Sequence, residues 1–102
     1  MEDQIIVEQV PAASWEQWAA QRDAVILDVR EPIEWALGTL PGARLMAMST
    51  IADEWQDLDP ARPHLVVCRS GNRSDTVAKA LQAAGFEQVA NLAGGMVALG
   101  LA

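Results

Sequence analysis

The chain has 102 residues, 51% of them apolar, which is enough for one compact core and too little for two, so a single domain over residues 1–102 is expected. Fourteen acidic residues against seven basic ones give a net charge of −7, which argues against nucleic acid or an anionic membrane as partner. The lone cysteine, Cys68, makes no internal disulfide, no stretch approaches the roughly 20 apolar residues of a membrane span, and the opening Met1-Glu2-Asp3-Gln4 has no basic or long apolar segment, so a cytoplasmic protein is expected.

Short apolar runs alternate with stretches of helical period, the pattern of an α/β fold. Ile5 to Val10 reads as a first strand. Ser14, with Gln17 three residues on, offers a capping box for a helix with Trp15 and Trp18 on one face. Ala24-Val25-Ile26-Leu27 is continuously apolar, as in a parallel strand covered on both faces, and ends at Asp28-Val29-Arg30-Glu31. Pro32 suits the first turn of a short helix through Trp35, Gly38 ends it, and Pro41-Gly42 turns the chain. Arg44 to Met48 predicts a third strand, and Ser49 or Thr50 caps a helix to about Leu58. Past a loop marked by Asp59-Pro60 and Pro63, the run Leu65-Val66-Val67 predicts a strand with Cys68 at its carboxyl end. Val77, Ala80, Leu81 and Ala84 recur at helical spacing in a helix from about Asn72 to Ala84, with Gly85 as its left-handed stop. Val89 to Leu92 is the last strand, followed by Gly94-Gly95 and a short terminal helix. The sum is a five-stranded, mainly parallel sheet with helices on both faces. Ligands of such sheets lie beyond the carboxyl ends of the strands, where Cys68 falls.

A thiol is a strong nucleophile only as thiolate, which is stabilised by a helix N-terminus, cations and backbone N–H donors. The segment Cys68-Arg69-Ser70-Gly71-Asn72-Arg73-Ser74 offers all three. Ser70-Gly71-Asn72 is small enough to curl its N–H groups around a sulfur, and a helix follows. Arg69 and Arg73 reverse the prevailing negative charge locally and favour an anionic substrate. Ser74 can cap the helix or donate its hydroxyl to bound sulfur.

This segment resembles the active-site loop of the rhodanese-domain sulfurtransferases. Asp28-Val29-Arg30-Glu31 is similar to that family's motif after its second strand, Gly38-Thr39-Leu40-Pro41-Gly42-Ala43 to its Gly-His-Ile-Pro-Gly-Ala turn, and Gly85-Phe86, Val89 and Leu92-Ala93-Gly94-Gly95-Met96 to its closing segment. Three positions depart from the pattern: Val67 for a tyrosine, Thr39 for the histidine of the turn, and Leu99 near a terminal tryptophan. The resemblance implies a single-domain thiosulfate sulfurtransferase. Cys68 takes a sulfane sulfur from a small anionic donor as a persulfide, the loop 69–74 binds it, Asp28 and Arg30 give structural support, and cyanide or a thiol accepts the sulfur. A sulfur-relay or regulatory module acting on a protein partner is the alternative. A cysteine-dependent phosphatase or arsenate reductase is disfavoured, because those enzymes resemble this one with a loop one residue longer than the four residues between Cys68 and Arg73.

The remaining residues have plainer readings. With one histidine and one cysteine no zinc site can be assembled, no cofactor is expected, and His64 is expected to be exposed. Trp15, Trp18, Trp35 and Trp55 lie in predicted amphipathic helices and are expected to pack on the sheet. Gly94-Gly95 lacks a nucleotide-binding fingerprint and reads as a tight turn.

Overall fold

A computed structural model describes residues 5–102. Its strands are β1 (Glu8–Val10), β2 (Val25–Asp28), β3 (Arg44–Leu45), β4 (His64–Val67) and β5 (Val89–Leu92). They form one sheet in the order β1-β5-β4-β2-β3, and every neighbouring pair is parallel. The helices are α1 (Trp15–Arg22), α2 (Pro32–Trp35), α3 (Ile51–Glu54), α4 (Asn72–Ala83) and α5 (Gly95–Ala98).

Side chains alternate across a strand, so the continuous apolar runs feed two cores. Leu27, Val66 and Val89 face the side covered by α3 and α4, where Val77, Ala78 and Leu81 meet them. Ile26, Leu65, Val67, Ala90 and Leu92 face the other side, with Trp18 of α1 and Met96 of α5. Leu27, Leu65 and Leu92 have no exposed surface, and full burial of such a side chain stabilises by roughly 1.5–3 kcal/mol.

Several boundaries are tighter than the pattern implied. β1 keeps only Glu8–Val10 of the run from Ile5. β3 keeps Arg44–Leu45, although Met46 and Met48 still donate N–H bonds to Asp28 and Val29. The helix expected to run to Leu58 stops at Glu54 and tightens into a 3-10 turn over Trp55–Asp57. Ser14 makes no side-chain cap; the chain enters α1 through a 3-10 turn over Ala12–Ser14. A capping box closes instead at α2, between Glu31 and Glu34.

Trp18 is buried, while Trp15 and Trp55 are half-buried against the two cores. Trp35 is also half-buried, and its Nε1 has no hydrogen-bond partner among the described residues. His64, expected at the surface, is fully buried. It opens the central strand β4, and Phe86 covers its ring at 5.2 Å between centroids. Nδ1 lies 2.7 Å from the Arg62 carbonyl, which can only accept, so the proton sits on Nδ1 and the buried Nε2 has no partner among the described residues. Burial first, despite that hydrogen bond, pushes the imidazole pKa below 6.5.

Candidate active site

β2, β4 and β5 end at the same edge of the sheet, with Val67 in register with Asp28 and Val66 with Asn91. The chain leaves β4 at Cys68 and curls through Arg69, Ser70 and Gly71 into α4. Cys68 is fully buried. Its Sγ accepts hydrogen bonds from the N–H of Gly71 at 3.1 Å, the N–H of Ser74 at 3.3 Å and the hydroxyl of Ser74 at 3.2 Å.

Local chain geometry forces this cradle. Gly71 has φ 95°, and a Cβ there would sit 3.0 Å from the Gly94 nitrogen. On the outer side, Met96 and Val97 donate their N–H groups to the carbonyls of Cys68 and Arg69, each at 2.9 Å. With the carbonyls committed to α5, the loop's N–H groups turn inward. Gly95 (φ 59°) allows the contact, because a Cβ would fall on those two carbonyls.

Burial by itself pushes the Cys68 thiol up. The Ser74 hydroxyl and the N–H groups of Ser74, Gly71 and Ser70 outweigh it and hold the pKa below the ordinary thiol value. A cysteine buried among purely apolar neighbours would be shifted the other way and be inert.

The two loop arginines point to different tasks. Arg69 is exposed and makes no side-chain hydrogen bond or ion pair among the described residues. Arg73 is held in a two-pronged pair with Glu34 of α2, Nη1 to Oε1 at 2.6 Å and Nη2 to Oε2 at 2.8 Å. Arg73, ahead of smaller contributions, holds the Glu34 carboxyl at about 2, and Glu34 in turn raises Arg73. Asn72 is exposed at the start of α4, and Ser74 makes no side-chain cap.

Asp28 and Arg30 meet each other rather than the sulfur. Both carboxylate oxygens accept from the Arg30 guanidinium at 2.8–3.1 Å in a buried pair, and Arg30 also donates to the Gly38 carbonyl at 2.7 Å nearer the surface. Glu34, Asn91 and Gln9 were not singled out from the sequence. Glu34 has the spacing of a capping box from Glu31, but a glutamate stands where the signature has Ser or Thr, so the pattern did not flag it. Asn91, a polar residue inside the apolar strand Val89–Leu92, signals a buried amide that needs partners.

Residues 12–101 match the sequence profile of the rhodanese-like domain. The putative sulfurtransferase YtwF of Bacillus subtilis is 39% identical over 87 residues, 85% of this chain and 84% of that protein. The thiosulfate sulfurtransferase GlpE of Pseudomonas putida is 39% identical over 72 residues, 71% of this chain and 66% of that protein. The crystal structure of a rhodanese-like domain protein from Staphylococcus aureus superposes with a TM-score of 0.82 at 30% identity, covering 90% of each chain. An all-parallel five-stranded sheet with a lone cysteine cradled at its carboxyl edge, and this agreement over most of the length, place the chain in the rhodanese-like domain family. Relatives named as sulfurtransferases support sulfur transfer as its general chemistry.

Proposed function

We propose that this protein moves a sulfane sulfur from a thiosulfate-like donor to cyanide or a thiol through a persulfide on Cys68. The observation that carries the reading is the Cys68 sulfur itself, buried yet held below its ordinary pKa by a ring of hydrogen-bond donors. The thiolate attacks the outer sulfur of thiosulfate, a new S–S bond forms, and the bond to the sulfite sulfur breaks with its electron pair leaving on sulfite. Three negative charges enter and three leave: thiolate and thiosulfate dianion become persulfide anion and sulfite dianion. An acceptor nucleophile then takes the terminal sulfur, and Cys68 departs as thiolate. Arg69, which pairs with no acid among the described residues, supplies positive charge for the approaching donor, and the loop N–H groups face the charge that stays.

The test is the intact mass of the reduced protein before and after thiosulfate, with cyanide added last and Cys68→Ser as control. A gain of one sulfur that cyanide removes and the variant never shows is expected. No gain from thiosulfate would overturn this donor, and turnover by Cys68→Ser would overturn the mechanism.

A protein donor or acceptor is the second reading, favoured by Ile33 and Leu37, 81% and 86% exposed, and by Val97. The first two belong to α2 and the turn after it, clasped to the loop through Glu34, and Val97 bonds the Arg69 carbonyl. Replacing Ile33 and Leu37 with serine is expected to leave transfer from thiosulfate to cyanide intact while slowing delivery to a protein.

A further inference from the structure

Ser74 has one hydroxyl proton and two acceptors in reach. Its Oγ lies 3.2 Å from Cys68 Sγ and 2.5 Å from Asn91 Oδ1. The Asn91 amide cannot turn, because its Nδ2 donates to Gln9 Oε1 at 2.8 Å and to the Gly71 carbonyl at 3.2 Å, both of which only accept. Gln9 is fixed in the same manner, with Nε2 donating to Asp75 Oδ1 at 2.9 Å and to the Val7 carbonyl at 3.2 Å. Asn91 is 3% exposed, so bulk water does not replace Ser74 as the donor to Oδ1.

We propose that Asn91 is a positioning residue that competes with Cys68 for the Ser74 proton, keeping the thiolate less stabilised and more nucleophilic than its cradle alone would make it. The proposal rests on the reading of Cys68 as the sulfur-accepting nucleophile. In the thiol state the relay from Cys68 to Asp75 closes when Cys68 S–H donates to Ser74 instead of accepting from it: Ser74 donates to Asn91, Asn91 to Gln9, and Gln9 to Asp75. When the thiol proton leaves to solvent, the hydroxyl swings to the sulfur and strands Asn91 Oδ1 without a donor, a state with a desolvation cost. Once the sulfane sulfur is bonded, the charge moves to the outer atom, Sγ becomes a neutral bridge, and the hydroxyl returns to Asn91. Asn91 therefore favours thiol and persulfide over the thiolate between them. The intrinsic nucleophilicity of a thiolate rises with its pKa, so at a pH above the Cys68 pKa this competition helps the first step of the relay.

The test is a double-mutant cycle on the donor-free protein, reading the Cys68 titration by thiolate ultraviolet absorbance in wild type, Asn91→Leu, Ser74→Ala and the double variant. Among the described residues, the other charged groups around the loop are Arg69, Arg73 and Asp75 from the loop and α4, and Asp28, Arg30, Glu31 and Glu34 from the β2–α2 segment. They are common to all four proteins and cancel in the differences. Asn91→Leu is expected to lower the Cys68 pKa by about one unit, the worth of one hydrogen bond to a charged group. At a pH above both values its alkylation by iodoacetamide is then about threefold slower. In the Ser74→Ala background the same substitution is expected to shift nothing. An unchanged or raised pKa in Asn91→Leu overturns the proposal, and so does an equal shift with and without the Ser74 hydroxyl, which would trace the effect to Gly71. Should Asn91→Leu fail to fold, Asn91→Val, suited to a strand, takes its place. No donor is present, so failure of persulfide formation would overturn the sulfurtransferase reading and leave this cycle standing.

Discussion

At Cys68 two opposing effects meet on one atom. Burial disfavours the thiolate, four donors favour it, and the donors win. The reactive form is therefore present at lower pH than for an ordinary thiol, whose pKa is 9.0. The rate of alkylation by iodoacetamide is expected to rise with pH and level off below that value; a plateau above it would show that burial dominates. The same balance makes the backbone around the sulfur unforgiving. Gly95→Ala puts a methyl onto the Cys68 and Arg69 carbonyls at a left-handed φ of 59°. Strain of this kind costs on the order of 1–3 kcal/mol. Both a lower melting temperature and slower sulfur uptake are expected, because the carbonyls must release α5 to make room.

Among the elements, α2 is the informative one. A single turn is too short to hold by propensity. It persists because the Glu31–Glu34 box closes its first turn, Arg30 bonds the Gly38 carbonyl beyond its end, and Arg73 clasps Glu34 from α4. The buried Asp28–Arg30 pair anchors this segment to the end of β2. Asp28→Asn removes the counter-charge and leaves a guanidinium buried, which costs about 3–5 kcal/mol; urea denaturation is expected to show a loss of that order. Glu34→Gln acts differently, since the amide oxygen still accepts from Glu31 while the charge on Arg73 is released. Its stability cost is expected to be no more than about 1 kcal/mol, because both partners are partly exposed. With the Arg73 charge released from Glu34 at the loop, the KM for dianionic thiosulfate is expected to fall relative to that for a less charged donor. An unchanged ratio would show that Arg73 does not sense the donor.

For the molecule as a whole, pH tests what the burial of His64 costs. Its folded pKa lies below 6.5, so below pH 6.5 the unfolded chain binds a proton that the native state resists. Stability is at its full value above that pH and declines as pH falls toward the lowered pKa, a decline that His64→Phe is expected to remove from the melting curve. Glu34 acts in a more acid window: its carboxylate contributes above the ordinary 4.5, and that contribution fades as pH falls toward about 2. The central strands could be read from the sequence because a parallel strand covered on both faces is apolar throughout, as in Val25-Ile26-Leu27 and Leu65-Val66-Val67. The small, cationic run from Cys68 to Ser74 was legible for the same local reason. What local pattern did not hold were pairings across the fold: Arg73 with Glu34, 39 positions apart, Asn91 with Gln9, 82 apart, and the cover that Phe86 gives His64. The most distant of these pairings carries a consequence for how the protein is made. β1 lies against β5, so the first strand of the sheet has no partner until the last has been synthesised. Gln9, Asn91 and the α5 bonds to the Cys68 and Arg69 carbonyls assemble at that same late moment. A chain still emerging from the ribosome thus lacks the α5 bonds that clasp the Cys68 and Arg69 carbonyls, and the loop around the sulfur is closed from its outer side only when β5 and α5 have joined the sheet.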